Sequence, residues 1–146
     1  MMNMKSLTDC YTLSNGVKIP CIGFGTWQTP DGEVTVSSVL SALQSGYRHI
    51  DTAQMYGNEG SVGAAVKQSG IDRRDIFITS KLANSIRGYR ETVDAVKQTL
   101  KLLDSDYVDL FLIHWPNPIK FRDRWQEANA ETWKALEELY EAGAIR

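Results

Sequence analysis

With 146 residues, of which 42% are apolar, the chain has the length of one domain and enough apolar mass to bury a core, so a single domain over 1–146 is expected. Its net charge is −2, from 16 basic and 18 acidic residues interspersed along the sequence, which gives no electrostatic footprint for nucleic acid or an anionic membrane. No stretch approaches the roughly 18 apolar residues that span a bilayer, and the opening MMNMKSLTDC lacks a signal-peptide core, so a cytosolic protein without membrane or nucleic-acid partners is expected.

Taken in chain order, Tyr11–Leu13 and Val17–Ile19 flank Ser14-Asn15-Gly16, and Asn-Gly between two apolar runs predicts a β-hairpin within residues 1–20. Cys10 and Cys21 stand on either side of it, in neither a CxxC nor a Cys/His spacing, and read as reduced, packed thiols with no metal. CIGFGTWQ then predicts a short strand, and the apolar positions from Val34 to Leu43 a helix stopped by Gly46. The alternation continues. YRHID is followed by a helix over 60–69, IFITSK by a helix over 90–103, and DLFLIH by a polar loop and a helix over 129–142. Trp133, Leu136, Leu139 and Tyr140 are expected on the buried face of that last helix, with Trp125 in the charged loop before it. The units succeed one another at about thirty residues, the length of a βαβ unit.

Strand and helix alternating in this way predict a parallel sheet with right-handed crossovers. A doubly wound sheet would bring a GxGxxG turn after its first strand, whereas GFGTWQ has the glycines in another order. A (β/α)8 barrel accounts better for Asp51, Lys81 and His114, each standing at the end of an apolar run, because in a barrel those ends converge on one rim. Such a barrel takes about 250 residues and eight units; four are present, so the expectation is a half barrel preceded by a hairpin. Tyr56 follows Asp51 in a loop rich in turn formers, Gly57, Asn58 and Gly60. Together these four polar groups form a set able to deliver a proton to a carbonyl oxygen. Singly, each has a plainer reading: Asp51 a helix N-cap, Lys81 a solvated strand terminus, His114 a hydrogen-bonded core histidine, Tyr56 a loop aromatic over apolar surface.

At GFGTWQ (23–28), GYRHIDTAQMYGNE (46–59), ITSKL (78–82), GYRETVDAVKQTLKLLDSDYVDLFLIHWP (88–116) and EELYEAGAIR (137–146) the sequence resembles the aldo-keto reductase family over nearly its whole length. The resemblance implies a (β/α)8 barrel that binds NADP(H) without a Rossmann domain and reduces aldehydes or ketones, small-molecule carbonyl substrates, to alcohols. It implies Tyr56 as general acid, Lys81 as the ammonium that stabilises the phenolate, Asp51 as the partner holding Lys81, and His114 as a hydrogen-bond donor to the substrate oxygen. Gly25, Thr26 and Trp27, with Asp51, would lie at the nicotinamide, and Trp27, Tyr56, His114 and Trp115 would wall the substrate slot. A cofactor-sensing or scaffolding subunit on the same fold is the alternative.

The pattern departs from the family in three places. Ala83 stands where many relatives carry tryptophan, which predicts a wider pocket, and Arg87 stands where histidine is common, which predicts a substrate bearing negative charge. The family's fifth strand, its serine-asparagine pair at the carboxamide and its 2′-phosphate site have no counterpart in these residues, so poor or no cofactor binding and low or no activity are expected of a truncated fragment. The edges of a half barrel are also expected to allow pairing into a homodimer.

Overall fold

The computed structural model describes residues 4–146, so the first three residues of the predicted hairpin segment lie outside the described residues. Strands β1 (Cys10–Thr12) and β2 (Lys18–Pro20) pair antiparallel with Tyr11 opposite Ile19. Leu13 N–H donates to the Val17 carbonyl at 2.8 Å and Gly16 N–H to the Leu13 carbonyl at 2.9 Å. Gly16 has φ 85°, the left-handed conformation that the last position of such a three-residue loop requires and that glycine adopts without a Cβ clash.

Four strand–helix units follow: β3 (Phe24–Gly25) and α1 (Glu33–Gln44), β4 (His49–Asp51) and α2 (Glu59–Gln68), β5 (Phe77–Leu82) and α3 (Tyr89–Leu103), β6 (Leu110–Ile113) and α4 (Trp125–Glu141). The strands pair in parallel in the order β3-β4-β5-β6, and each helix packs on the next. Strand order never reverses, as it would in a doubly wound sheet, and four such units are half of a (β/α)8 barrel.

Alternation along the strands separates core from site. Ile50, Ile78, Leu82 and Phe111 join Val39, Leu43, Val62, Val96 and Leu103 from the helices in one apolar cluster. The intervening residues His49, Asp51, Phe77, Thr79 and Lys81 meet one another on the opposite face. Each fully buried Ile or Leu is worth about 1.5–3 kcal/mol over its exposed state. A one-residue slip of β5 would exchange Ile78 and Leu82 for Thr79 and Lys81 in the core, so burial on one face fixes the register of the polar groups on the other.

Three expectations are corrected. The last helix starts at Trp125, four residues earlier than its apolar periodicity indicates, so the charged segment around Trp125 is its first turn rather than a loop. Trp133 is not core: it is 57% exposed, because the stripe that packs inward is Ala128, Thr132, Ala135 and Leu136, whose smaller side chains admit the close approach of α3. With Leu13, Phe111, Tyr140 and Ile145 it lines an open cavity of about 450 Å³. Finally, the residues after the last helix are not wholly unpaired, although they make an isolated bridge rather than a strand. Ile145 bridges Val108 in parallel, with Val108 N–H donating to Ala144 C=O and Arg146 N–H to Val108 C=O, both at 3.1 Å. Among the described residues no helix is long and apolar enough to cross a membrane, no acidic, His or Cys cluster could hold a metal, and both cysteines are free.

Candidate active site

The carboxyl-terminal ends of the strands bring Asp51, Tyr56, Lys81 and His114 together. Lys81 Nζ donates to Asp51 Oδ1 at 2.6 Å, to the Thr52 carbonyl at 2.9 Å and to Tyr56 Oη at 3.2 Å. All three ammonium donors are therefore spent, which fixes the charge in place. Tyr56 arrives on a 3₁₀ turn, Gln54–Tyr56, that Gly57 closes at φ 70°. Its ring lies 5.0 Å from that of Trp27 and 5.7 Å, edge-on, from that of His114. Burial, and secondarily the Lys81 ammonium, hold the His114 imidazole below its ordinary value, so it is neutral at pH 7. Its Nδ1 is buried without a partner among the described residues.

Behind these groups stands a set of buried polar residues that sequence reading treated only as turn formers or passed over. Asn58, 0% exposed, donates through Nδ2 to the carbonyls of Thr26 (2.9 Å) and Thr29 (3.0 Å) and accepts at Oδ1 from the hydroxyls of Thr52 (2.9 Å) and Thr26 (3.2 Å). It ties the loop after β3 to the end of β4. Gln54 donates to Ala95 C=O and Thr99 Oγ1 and accepts from Ala83 N–H, anchoring the turn that carries Tyr56. These partners lie far apart in the chain, so no local pattern announces them.

Glu59, the first residue of α2, is buried beneath Lys81's neighbour Ser80, whose hydroxyl donates to Oε1 at 2.5 Å. Burial raises its carboxyl above the ordinary glutamate value, and the hydrogen bonds of Ser80 and Thr99 offset this only in part. The folded protein thus keeps this proton to higher pH than the unfolded chain does, so Glu59 makes stability fall as pH rises from the unfolded value, about 4.3, through the raised folded one. Glu59→Gln is expected to remove that decline. Urea midpoints at a series of pH values check this, and a variant with the wild-type slope would show that Glu59 is not its source.

Gly25 is paired with Asp51, and a Cβ built on it meets nothing within 4 Å, so the space over this backbone is open beside the tetrad. Trp27, 61% exposed, borders it. Thr26 sits differently: it is fully buried, its hydroxyl 3.1 Å from the Asp51 carbonyl, and it fastens the loop rather than facing open space. On the other side Met55, Trp115, Pro118 and Ile119 line a mostly apolar cavity of about 370 Å³. Another cavity, of about 790 Å³, lies at the amino-terminal end of the strands, where Lys18, Arg48 and Arg146 line it. It shares no residue with the tetrad. Arg87 is only 4% exposed and donates to three backbone carbonyls and Asn129, so its cation is turned into the protein, which corrects the expectation that it marks a negatively charged substrate.

A sequence profile described as the aldo/keto reductase family matches residues 21–146. The chain is 44% identical over 138 residues to a 9,11-endoperoxide prostaglandin H2 reductase of Trypanosoma cruzi, covering 94% of this chain and 46% of that protein. It is 45% identical over 141 residues to a glyoxal reductase of Bacillus subtilis, covering 97% and 48%. Among solved structures, an aldo/keto reductase from Brucella melitensis superposes with a TM-score of 0.86 at 48% identity, over 94% of this chain and 51% of that one. A Bombyx mori aldo-keto reductase in complex with NADP gives 0.83 at 31% identity, over 97% and 50%. The chain thus spans about half the length of the relatives it matches.

Proposed function

The chain belongs to the aldo/keto reductase family, and from that premise we propose that it carries the proton-delivering side of an NADP(H)-dependent reductase of small aldehydes or ketones. One observation carries the reading: a single ammonium, Lys81, is bonded at once to the Asp51 carboxylate and the Tyr56 hydroxyl oxygen. The residues present fit the nicotinamide end of the cofactor, with open space over Gly25 and the exposed face of Trp27 beside it. NADP(H), when bound, supplies the hydride.

The protein's own residues supply the rest. Tyr56 gives its hydroxyl proton to the carbonyl oxygen as that oxygen gains negative charge, and the phenolate left behind faces Lys81 at hydrogen-bonding distance. Unit charges about 4 Å apart attract by about 4 kcal/mol in a partly buried setting. Because the phenolate exists only as the proton leaves, that attraction acts on the transition state and is worth roughly 10²–10³-fold in rate. Asp51 keeps Lys81 aimed at the phenol. His114, neutral and with its Nδ1 enclosed, presents Nε2–H to the carbonyl oxygen and fixes its direction. The apolar cavity of Met55, Trp115 and Ile119 receives the remainder of the substrate.

Titrating NADPH into the chain while following tryptophan fluorescence tests the cofactor part of this reading. Saturable quenching that is lost in Trp27→Leu is expected; quenching that does not saturate, or that is indifferent to Trp27, would contradict it. β3 and β6 are the outermost strands of the sheet, with Ile145 paired only at the Val108 end of the β6 side, so light scattering on the same sample is expected to give twice 16.4 kDa, and a monomer mass at every concentration would dismiss the pairing.

A further inference from the structure

Arg87 is a buried cation for which no carboxylate lies within salt-bridge distance among the described residues. Its guanidinium is satisfied instead by oxygen dipoles: Nε donates to Asn129 Oδ1 at 2.9 Å, Nη1 to the carbonyls of Ala83 at 3.2 Å and Ile86 at 2.5 Å, and Nη2 to the carbonyl of Trp115 at 2.5 Å. Asn129 in turn donates through Nδ2 to the Pro116 carbonyl at 2.7 Å. Burying a charge against dipoles alone is expensive, and nothing in the packing of α3 demands a cation here. What the arrangement achieves is geometric. Three separate stretches, the loop after β5, the segment His114-Trp115-Pro116 after β6 and the first turns of α4, are fastened to one rigid fork. A lysine could not satisfy them together, because its three donors radiate from one atom rather than from a planar frame.

We infer that Arg87 is a positioning residue for the reaction proposed above: through the Trp115 and Pro116 carbonyls it sets where Trp115 stands and the direction from which His114 meets the substrate oxygen. This inference rests on that reaction for its purpose but not for its geometry, so it is tested without turnover. The charged groups facing His114 are Lys81, Asp51 and Arg87, and Tyr56 packs edge-on against its ring. The only other histidine, His49, is held by Thr79 and Phe77 and serves as an internal control.

The experiment is NMR of the 146-residue chain, following the two imidazole resonances against pH and the Trp115 indole N–H, in wild type, Arg87→Gln and Arg87→Lys. In Arg87→Gln, which removes both cation and fork, the His114 midpoint is expected to rise and the Trp115 signal to shift, with His49 unchanged. In Arg87→Lys, which keeps the cation but not the fork, Trp115 is expected to shift while the His114 midpoint stays close to wild type. If Arg87→Gln does not fold by circular dichroism, Arg87→Lys and Asn129→Ala decide on the Trp115 signal alone. Folded variants in which Trp115 and His114 keep their wild-type signals would overturn the inference and leave Arg87 a packing residue. Failure of the carbonyl-reduction reading would show instead as no NADPH binding with these shifts intact.

Discussion

Tyr56→Phe is expected to lower carbonyl reduction by about 10²–10⁴-fold, the usual contribution of a positioned general acid. The substitution deletes one oxygen and little else. The ring keeps its contacts with Trp27 and His114, and Lys81 keeps Asp51 and the Thr52 carbonyl, so stability should change by no more than about 1 kcal/mol. Activity and stability are therefore expected to part company. Rates with NADPH and a small aldehyde, measured beside urea unfolding of both proteins, check this. A variant that is folded and still turns over within a few-fold of wild type would mean that the proton comes from another group.

Asn58→Ala is expected to have the largest effect on stability, about 2–3 kcal/mol, which is a sizeable share of the 5–15 kcal/mol that typically holds a domain together. The side chain is inaccessible and uses both donors and its acceptor oxygen, so its removal leaves the Thr52 hydroxyl without an acceptor. It also takes one donor each from the Thr26 and Thr29 carbonyls, which keep the Thr29 N–H and the Thr35 hydroxyl respectively, while the Thr26 hydroxyl keeps the Asp51 carbonyl. The loss falls on the loop that carries Trp27, so the Trp27–Tyr56 contact should loosen along with the fold. A cost below about 1 kcal/mol in urea unfolding would show that the network is ornamental to stability.

These two residues also mark the boundary of what the chain discloses in one dimension. Asp51, Lys81 and His114 are conspicuous because a polar side chain at the end of an apolar run breaks a pattern, and the parallel order of β3 to β6 follows from strands and helices that alternate at regular length. Asn58 breaks no pattern. It looks like any turn residue until residues 26, 29 and 52 are brought around it. Arg87 is harder still, since its partners are mainly backbone carbonyls, which every residue has; its sequence context suggested a ligand contact that burial excludes. Trp133 misleads in the opposite sense. A large apolar residue near helical spacing points to the core, whereas the close packing of α3 and α4 is made by Ala128, Thr132 and Ala135 and leaves the indole outside. The bridge of Ile145 to Val108 likewise has too short a run to register as a strand.

The most direct measurement is isotopic. Incubating the chain with an aldehyde and NADPH deuterated at nicotinamide C4, then weighing the alcohol by mass spectrometry, identifies the reaction even where it is slow. Alcohol carrying deuterium on its carbinol carbon, formed by wild type and suppressed in Tyr56→Phe, is the expected result. Unlabelled alcohol would contradict NADPH as the source of the hydride, and labelled alcohol formed equally by the variant would contradict the assignment of Tyr56 and its Lys81 partner as the proton-delivering pair.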